Sequence, residues 1–82
     1  MEQYLEASWI EMSQYLIVIE PTQTGFSAYA PDLPGCVSTG RTRREVEDSM
    51  KEAIGFHIDG LREEGLPIPQ PRSEASLCTV TS

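Results

Sequence analysis

An α+β fold, an antiparallel three- to four-stranded sheet with one long helix packed on one face, follows from three features of the 82-residue sequence. Residues 42–65 carry a helical hydrophobic period with a start and a stop at their ends. The chain before them is divided into short β-branched and aromatic runs separated by Pro and Gly. So short a chain builds one core, and the apolar side of the helix must cover the apolar side of the sheet.

In chain order, Leu5, Trp9 and Met12 fall at i, i+4 and i+7, with Glu2, Glu6 and Glu11 between them. This predicts a short amphipathic helix over residues 1–13, with Trp9 as a packing anchor on the core or on a second subunit. Tyr15-Leu16-Ile17-Val18-Ile19, closed by Pro21, predicts a first strand over residues 14–20. A turn through Gly25 leads to Phe26-Ser27-Ala28-Tyr29-Ala30, whose period of two marks a half-buried strand hairpinned to the first.

Pro31-Asp32-Leu33-Pro34-Gly35-Cys36 forbids regular structure. Pro34-Gly35 suits the centre of a type II turn, with Gly35 at positive φ and Cys36 entering the core. Cys36-Val37-Ser38-Thr39 is then a third strand, released by Gly40-Arg41 into the helix.

Thr42 followed by Glu45 is a capping box: the hydroxyl accepts from the Glu45 N–H while the carboxylate reaches back to the Thr42 N–H. About six turns later Gly65 takes the left-handed conformation and Pro67 blocks resumption. On the helical wheel Val46, Met50, Ala53, Ile54, His57, Ile58 and Leu61 share one arc, with Asp48, Glu52, Gly55, Asp59 and Arg62 opposite. Leu66-Pro67-Ile68-Pro69-Gln70-Pro71 predicts a semi-rigid polyproline-like strap. Leu77, Cys78 and Val80 among threonines predict a fourth strand over residues 75–81 at the sheet edge. The string is (α)βββαβ, a single domain over residues 1–82.

Thirteen acids against six bases give a formal charge of −7, which opposes non-specific binding to nucleic acid and anionic membrane and favours a basic protein partner. No apolar run approaches the roughly 20 residues that span a bilayer, and the first residues lack the basic start of a signal peptide, so the expected location is the cytoplasm. Cys36 and Cys78 are too few for a disulfide framework and read as small buried apolar residues.

Several of these pieces occur together in a known family. Tyr15-Leu16-Ile17-Val18-Ile19-Glu20, Gly25-Phe26-Ser27-Ala28-Tyr29, Asp32-Leu33-Pro34-Gly35-Cys36, Thr39-Gly40-Arg41-Thr42 with Glu45, Glu52-Ala53-Ile54, His57 and Gly65-Leu66-Pro67-Ile68-Pro69 resemble the amino-terminal domain of HicB antitoxins. The resemblance covers about residues 12–73 as the family core, leaving 1–11 as an extension and 74–82 as the terminal strand. It implies a partial ribonuclease-H-like fold, homo-oligomerisation, and inhibition of HicA, a small basic ribonuclease toxin that cuts messenger RNA. Full-length family members also carry a C-terminal helix-turn-helix or ribbon-helix-helix module, whereas this sequence resembles the short, stand-alone type. Here eleven residues follow Pro71, too few for either, so no direct DNA binding is expected.

A ribonuclease-H-like fold raises the question of two-metal catalysis, which needs several carboxylates converging on metals about 4 Å apart. The strands supply almost none: Glu20 ends the first, Asp32 lies in a turn, and Asp48 and Asp59 face outward on the helix. We therefore expect no enzyme and no cofactor. His57 lies within the apolar arc and reads as a core or interface histidine, with a metal ligand or pH-sensitive contact as the other readings. No CxxC or HxxxH spacing supports a His/Cys zinc site.

Glu45, Asp48, Glu52, Asp59 and Glu63 fall within about 60° of the helix exterior. They are either a solvated face, tempered by i,i+4 pairs such as Glu47 with Lys51 and Arg44 with Asp48, or the contact for a basic toxin. The turn Asp32, Leu33, Pro34, Gly35, Cys36 is a structural signature that could also line a ligand cleft. The expected action is masking of a HicA-type ribonuclease by a homodimer or larger assembly. An orphan regulatory or structural oligomer and a small-ligand or metal-binding module are the alternatives.

Overall fold

The computed structural model describes residues 13–81. Strand β1 is Val18–Pro21, β2 is Phe26–Tyr29, β3 is Val37–Gly40, and the helix α1 is Arg43–Glu63. The strands form one antiparallel sheet in the order β1-β2-β3, and α1 lies across it, against β3 and β2. The expected α+β architecture is the observed one. The N-terminal helix with Leu5, Trp9 and Met12 was expected in a segment that, apart from Ser13, lies outside the described residues.

The turns are where Pro and Gly require them. Thr22 donates its N–H to the Gly25 carbonyl at 2.8 Å and closes the first hairpin. Between β2 and β3 two tight turns follow each other: Leu33 N–H to Ala30 O and Cys36 N–H to Leu33 O, each at 3.0 Å. Pro31 occupies the second position of the first turn, and Gly35, at φ 84°, the third position of the second. The geometry expected of Pro34-Gly35 is present, and it drives Leu33 and Cys36 inward.

Register assigns the two faces of the sheet. Ile19 pairs with Ala28 and Ala28 with Ser38, so these side chains share the face turned to the helix. Val18, Tyr29 and Val37 align on the opposite face. The core is Ala28, Ala30, Leu33, Cys36, Val46 and Met50, flanked by Tyr15, Ile17, Ile19, Phe26, Ala53 and Ile54. Ala28 and Gly40 keep the strand side chains small under the helix. A Cβ on Gly40 would stand 2.6 Å from the Val46 amide nitrogen, so only glycine lets α1 leave β3 so closely.

Thr42 caps α1 by accepting from the Glu45 N–H at 3.0 Å. The reciprocal bond differs from the expected capping box: the Glu45 carboxylate accepts from the Arg41 N–H at 2.9 Å, one residue before the cap. The other end is a Schellman closure, with Leu66 N–H on Leu61 O at 2.9 Å, Gly65 N–H on Arg62 O at 3.0 Å, and Gly65 at φ 69°. Val46 and Met50 are buried and Ala53, Ile54, His57, Ile58 and Leu61 half-buried, as the wheel predicts, while Asp48, Glu52, Gly55, Asp59 and Arg62 are exposed.

Two expectations need correction. Residues 75–81 form no strand: no ladder bonds join them to the sheet, and Leu77 and Val80 lie open to solvent. Cys78, expected to be buried, is exposed with them, whereas Cys36 is buried. The strap is held ahead of this point, so β propensity beyond Ser73 finds no partner strand within the described residues.

Candidate protein-interaction surfaces

The acidic side chains of α1 are all at the surface but not equally free. Glu45 is committed to the helix start through Arg41. Asp48 stands 3.8 Å from Arg44, and Glu47 turns back to Arg43 at 3.3 Å rather than forward to Lys51. These exposed i,i+4 pairs are worth a few tenths of a kcal/mol each. Glu52, Asp59 and Glu63 remain as exposed carboxylates on the C-terminal two-thirds of the helix exterior.

The Asp32 turn is joined to the strap. Asp32 Oδ2 accepts the backbone N–H groups of Arg72 and Ser73 at 2.8 Å each, and Oδ1 accepts the Ser73 hydroxyl at 2.9 Å. The Ser73 and then the Arg72 backbone donors hold the Asp32 carboxyl below its ordinary range. Tyr15 donates its hydroxyl to the Pro69 carbonyl at 2.6 Å, fixing the strap beside the start of β1. The Asp32 carboxylate is thus a structural clamp. Sequence reasoning placed Asp32 in the signature turn without its partners, 40 and 41 residues away; no local spacing signals such a contact.

His57 lines a groove of about 370 Å³ with Gly35, Cys36, Val37, Ala53 and Phe56, between the start of β3 and the C-terminal half of α1. The ring is half-buried at the margin of the core. Burial pushes the Cys36 thiol up, which keeps it protonated and unreactive near neutrality. Among the described residues no three His, Cys, Asp or Glu side chains come together as a metal site. Phe56 went unnoticed in the sequence, yet it is the one aromatic side chain of α1 and lies about 60° outside the edge of the apolar arc.

Residues 15–80 match the family model of the HicB-like antitoxin of bacterial toxin–antitoxin systems. The chain belongs to the HicB antitoxin family. It is 43% identical over 56 residues to an uncharacterized 14.9 kDa protein from the rep-hol intergenic region of Haemophilus phage HP1, covering 68% of this chain and 42% of the phage protein. Its fold matches a chain of the HicA3 and HicB3 toxin–antitoxin complex with a TM-score of 0.65 and 38% identity, over 73% of this chain and 70% of that one. It also matches the crystal structure of the antitoxin HicB3 with a TM-score of 0.63 and 38% identity, over 73% of this chain and 44% of HicB3. The chain spans less than half the length of the phage protein and of that HicB3 chain, so what is shared is the HicB sheet-and-helix domain. Among the described residues no helix is long and apolar enough to cross a membrane.

Proposed function

We propose that this HicB-family chain acts as an antitoxin that binds and masks a HicA-type, messenger-RNA-cleaving toxin, without catalysis of its own and as a homodimer or larger homo-oligomer. The observation that carries this reading is the likeness of the domain to a chain of the HicA3 and HicB3 complex. Charge supports it: a −7 chain attracts a basic ribonuclease and repels the RNA that such a toxin must hold. The exterior of α1, with Glu52, Asp59 and Glu63 outward, supplies carboxylates where a basic surface could approach. The same charge disfavours DNA as a partner.

Masking rather than cutting fits the chemistry of the acids. Asp32 is saturated with hydrogen bonds from Arg72 and Ser73, and Glu45 is tied to the helix start. Neither is free to hold a metal or activate water. The test is a tagged pull-down from the native host, repeated at high salt. Recovery of a small basic protein whose binding weakens with salt, and whose RNA cleavage stops at one equivalent of this chain, is expected. A HicA-type protein encoded beside this gene that neither binds nor loses activity would overturn the reading.

A further inference from the structure

Apart from Leu66 at the helix exit, the large apolar side chains most exposed on the described residues fall into two groups. One surrounds β3: Phe56 is 77% exposed and Val37 65%, with Tyr29 beside Val37 on the open face of the sheet. The other is the arm beyond the Asp32 clamp, where Leu77 is 99% exposed and Val80 77%. Each lacks what the other has. Among the described residues the arm is a β-prone run with no strand beside it, and β3 is an edge strand with an apolar groove at its flank.

The register shows that the edge can receive a strand. Ala30 donates its N–H to Cys36 O at 3.2 Å, which makes Ala30 and Cys36 a hydrogen-bonded pair. Alternation then points the N–H and C=O groups of Ser38 and Gly40 toward β2, and those of Val37 and Thr39 outward. Val37 and Thr39 are exposed, and no turn or loop backbone bond among the described residues meets them.

We propose that residues 74–81 of one chain add as a strand to the outer edge of β3 of a second copy, in a reciprocal exchange. This rests on the homo-oligomer reading above and specifies its interface. The two-residue period of a strand sends Leu77 and Val80 to opposite faces. Leu77 enters the groove against Ala53 and Phe56, and Val80 covers Val37 and Tyr29 on the open face. One strand thereby buries both patches while its backbone satisfies Val37 and Thr39. Charge permits this contact between two copies. Chains of −7 repel, yet Glu74 is the only charged residue of the arm, and the residues lining the groove carry no acid. The clamp at Asp32 fixes the arm's root at the turn that leads into β3, and an exchange in which each copy gives one arm and receives one is isologous, which makes a closed dimer rather than an open chain.

Sedimentation equilibrium of the whole chain at micromolar concentration tests this, with L77E/V80E and F56E beside the natural sequence. All three side chains project into solvent, so the substitutions leave the single chain folded, which circular dichroism checks. The natural chain is expected to be a dimer that holds or tightens as salt rises. Both variants are expected to raise its dissociation constant about 100-fold or more, because the twofold exchange loses two buried apolar side chains in F56E and four in L77E/V80E. A dimer unchanged by L77E/V80E would overturn the arm exchange and leave the homo-oligomer reading standing on another surface. A monomeric natural chain would overturn both.

Discussion

The Asp32 carboxylate and the Ser73 backbone amide, 41 residues apart, meet at 2.8 Å and fasten the strap to the turn between β2 and β3. With Arg72 N–H and the Ser73 hydroxyl on the same carboxylate, three donors converge on one ionised group. Charge-assisted bonds of this kind hold only while the acid is deprotonated. Because the folded carboxyl lies below its ordinary value of 3.8, the anchoring is fully present above that value and is lost as pH falls through the lowered one. Asp32→Ala at neutral pH should mimic this by freeing the strap while sheet and helix persist. Trypsin reports it directly, because the Arg72–Ser73 bond lies inside the clamp. Cleavage there should accelerate several-fold in the variant, and unchanged cleavage would show that the clamp does not restrain the strap.

Leu33 lies in a turn yet is among the most deeply buried side chains, packed with Val46 and Met50. Leu33→Ala should therefore destabilise as a core truncation does, by about 2–5 kcal/mol, enough to unfold a large part of so small a domain. His57→Leu should behave differently. The ring sits half-buried at the groove margin, and among the described residues no polar or charged side chain is fully buried, so no buried polar network collapses with it. Urea denaturation compares the two: a loss for H57L as large as that for L33A would mean that the imidazole is holding buried structure together.

Glycine substitutions separate crowding from helix propensity. Gly40→Ala puts a Cβ 2.6 Å from the Val46 amide nitrogen, against backbone that can move only with the helix start, and should destabilise by about 1–3 kcal/mol. Gly55 and Gly60 have open space around the added carbon and sit inside α1. Gly55→Ala and Gly60→Ala should each stabilise by about 0.5–1 kcal/mol. Thermal unfolding reads both signs; a neutral G40A would mean that the helix start is loosely packed.

These contrasts show how far the sequence reaches. The limits of α1 were legible because Thr42, Glu45 and Gly65 act through neighbours three to five residues away, and its buried arc because hydrophobic period is local. The positive φ of Gly35 and the burial of Cys36 followed from turn chemistry in the same way. The strand expected over residues 75–81 failed for the opposite reason. Its composition was right, but strand formation needs a partner edge, and beyond the clamp at Asp32 the arm pairs with none among the described residues and lies exposed. The stripe residues Glu45, Asp48, Glu52, Asp59 and Glu63 are exposed, but the commitment of Glu45 to the Arg41 N–H, like that of the neighbouring Glu47 to Arg43 rather than Lys51, is a side-chain choice that spacing leaves open.

Those commitments make the toxin surface separable residue by residue. If the exterior of α1 meets a basic ribonuclease, Glu52, Asp59 and Glu63 carry the attraction, whereas Glu45 is occupied by the helix start. Charge reversals E52K and D59K should each slow association several-fold at low salt, with the effect shrinking as ionic strength brings the screening length to about 8 Å. Glu45→Gln should instead weaken the bond to the Arg41 N–H and lower the melting temperature slightly, with association nearly unchanged. Surface plasmon resonance against a HicA-type toxin, run at two salt concentrations, separates these outcomes. Equal association rates for E52K, D59K and the natural chain would move the toxin contact off this helix face and onto the sheet.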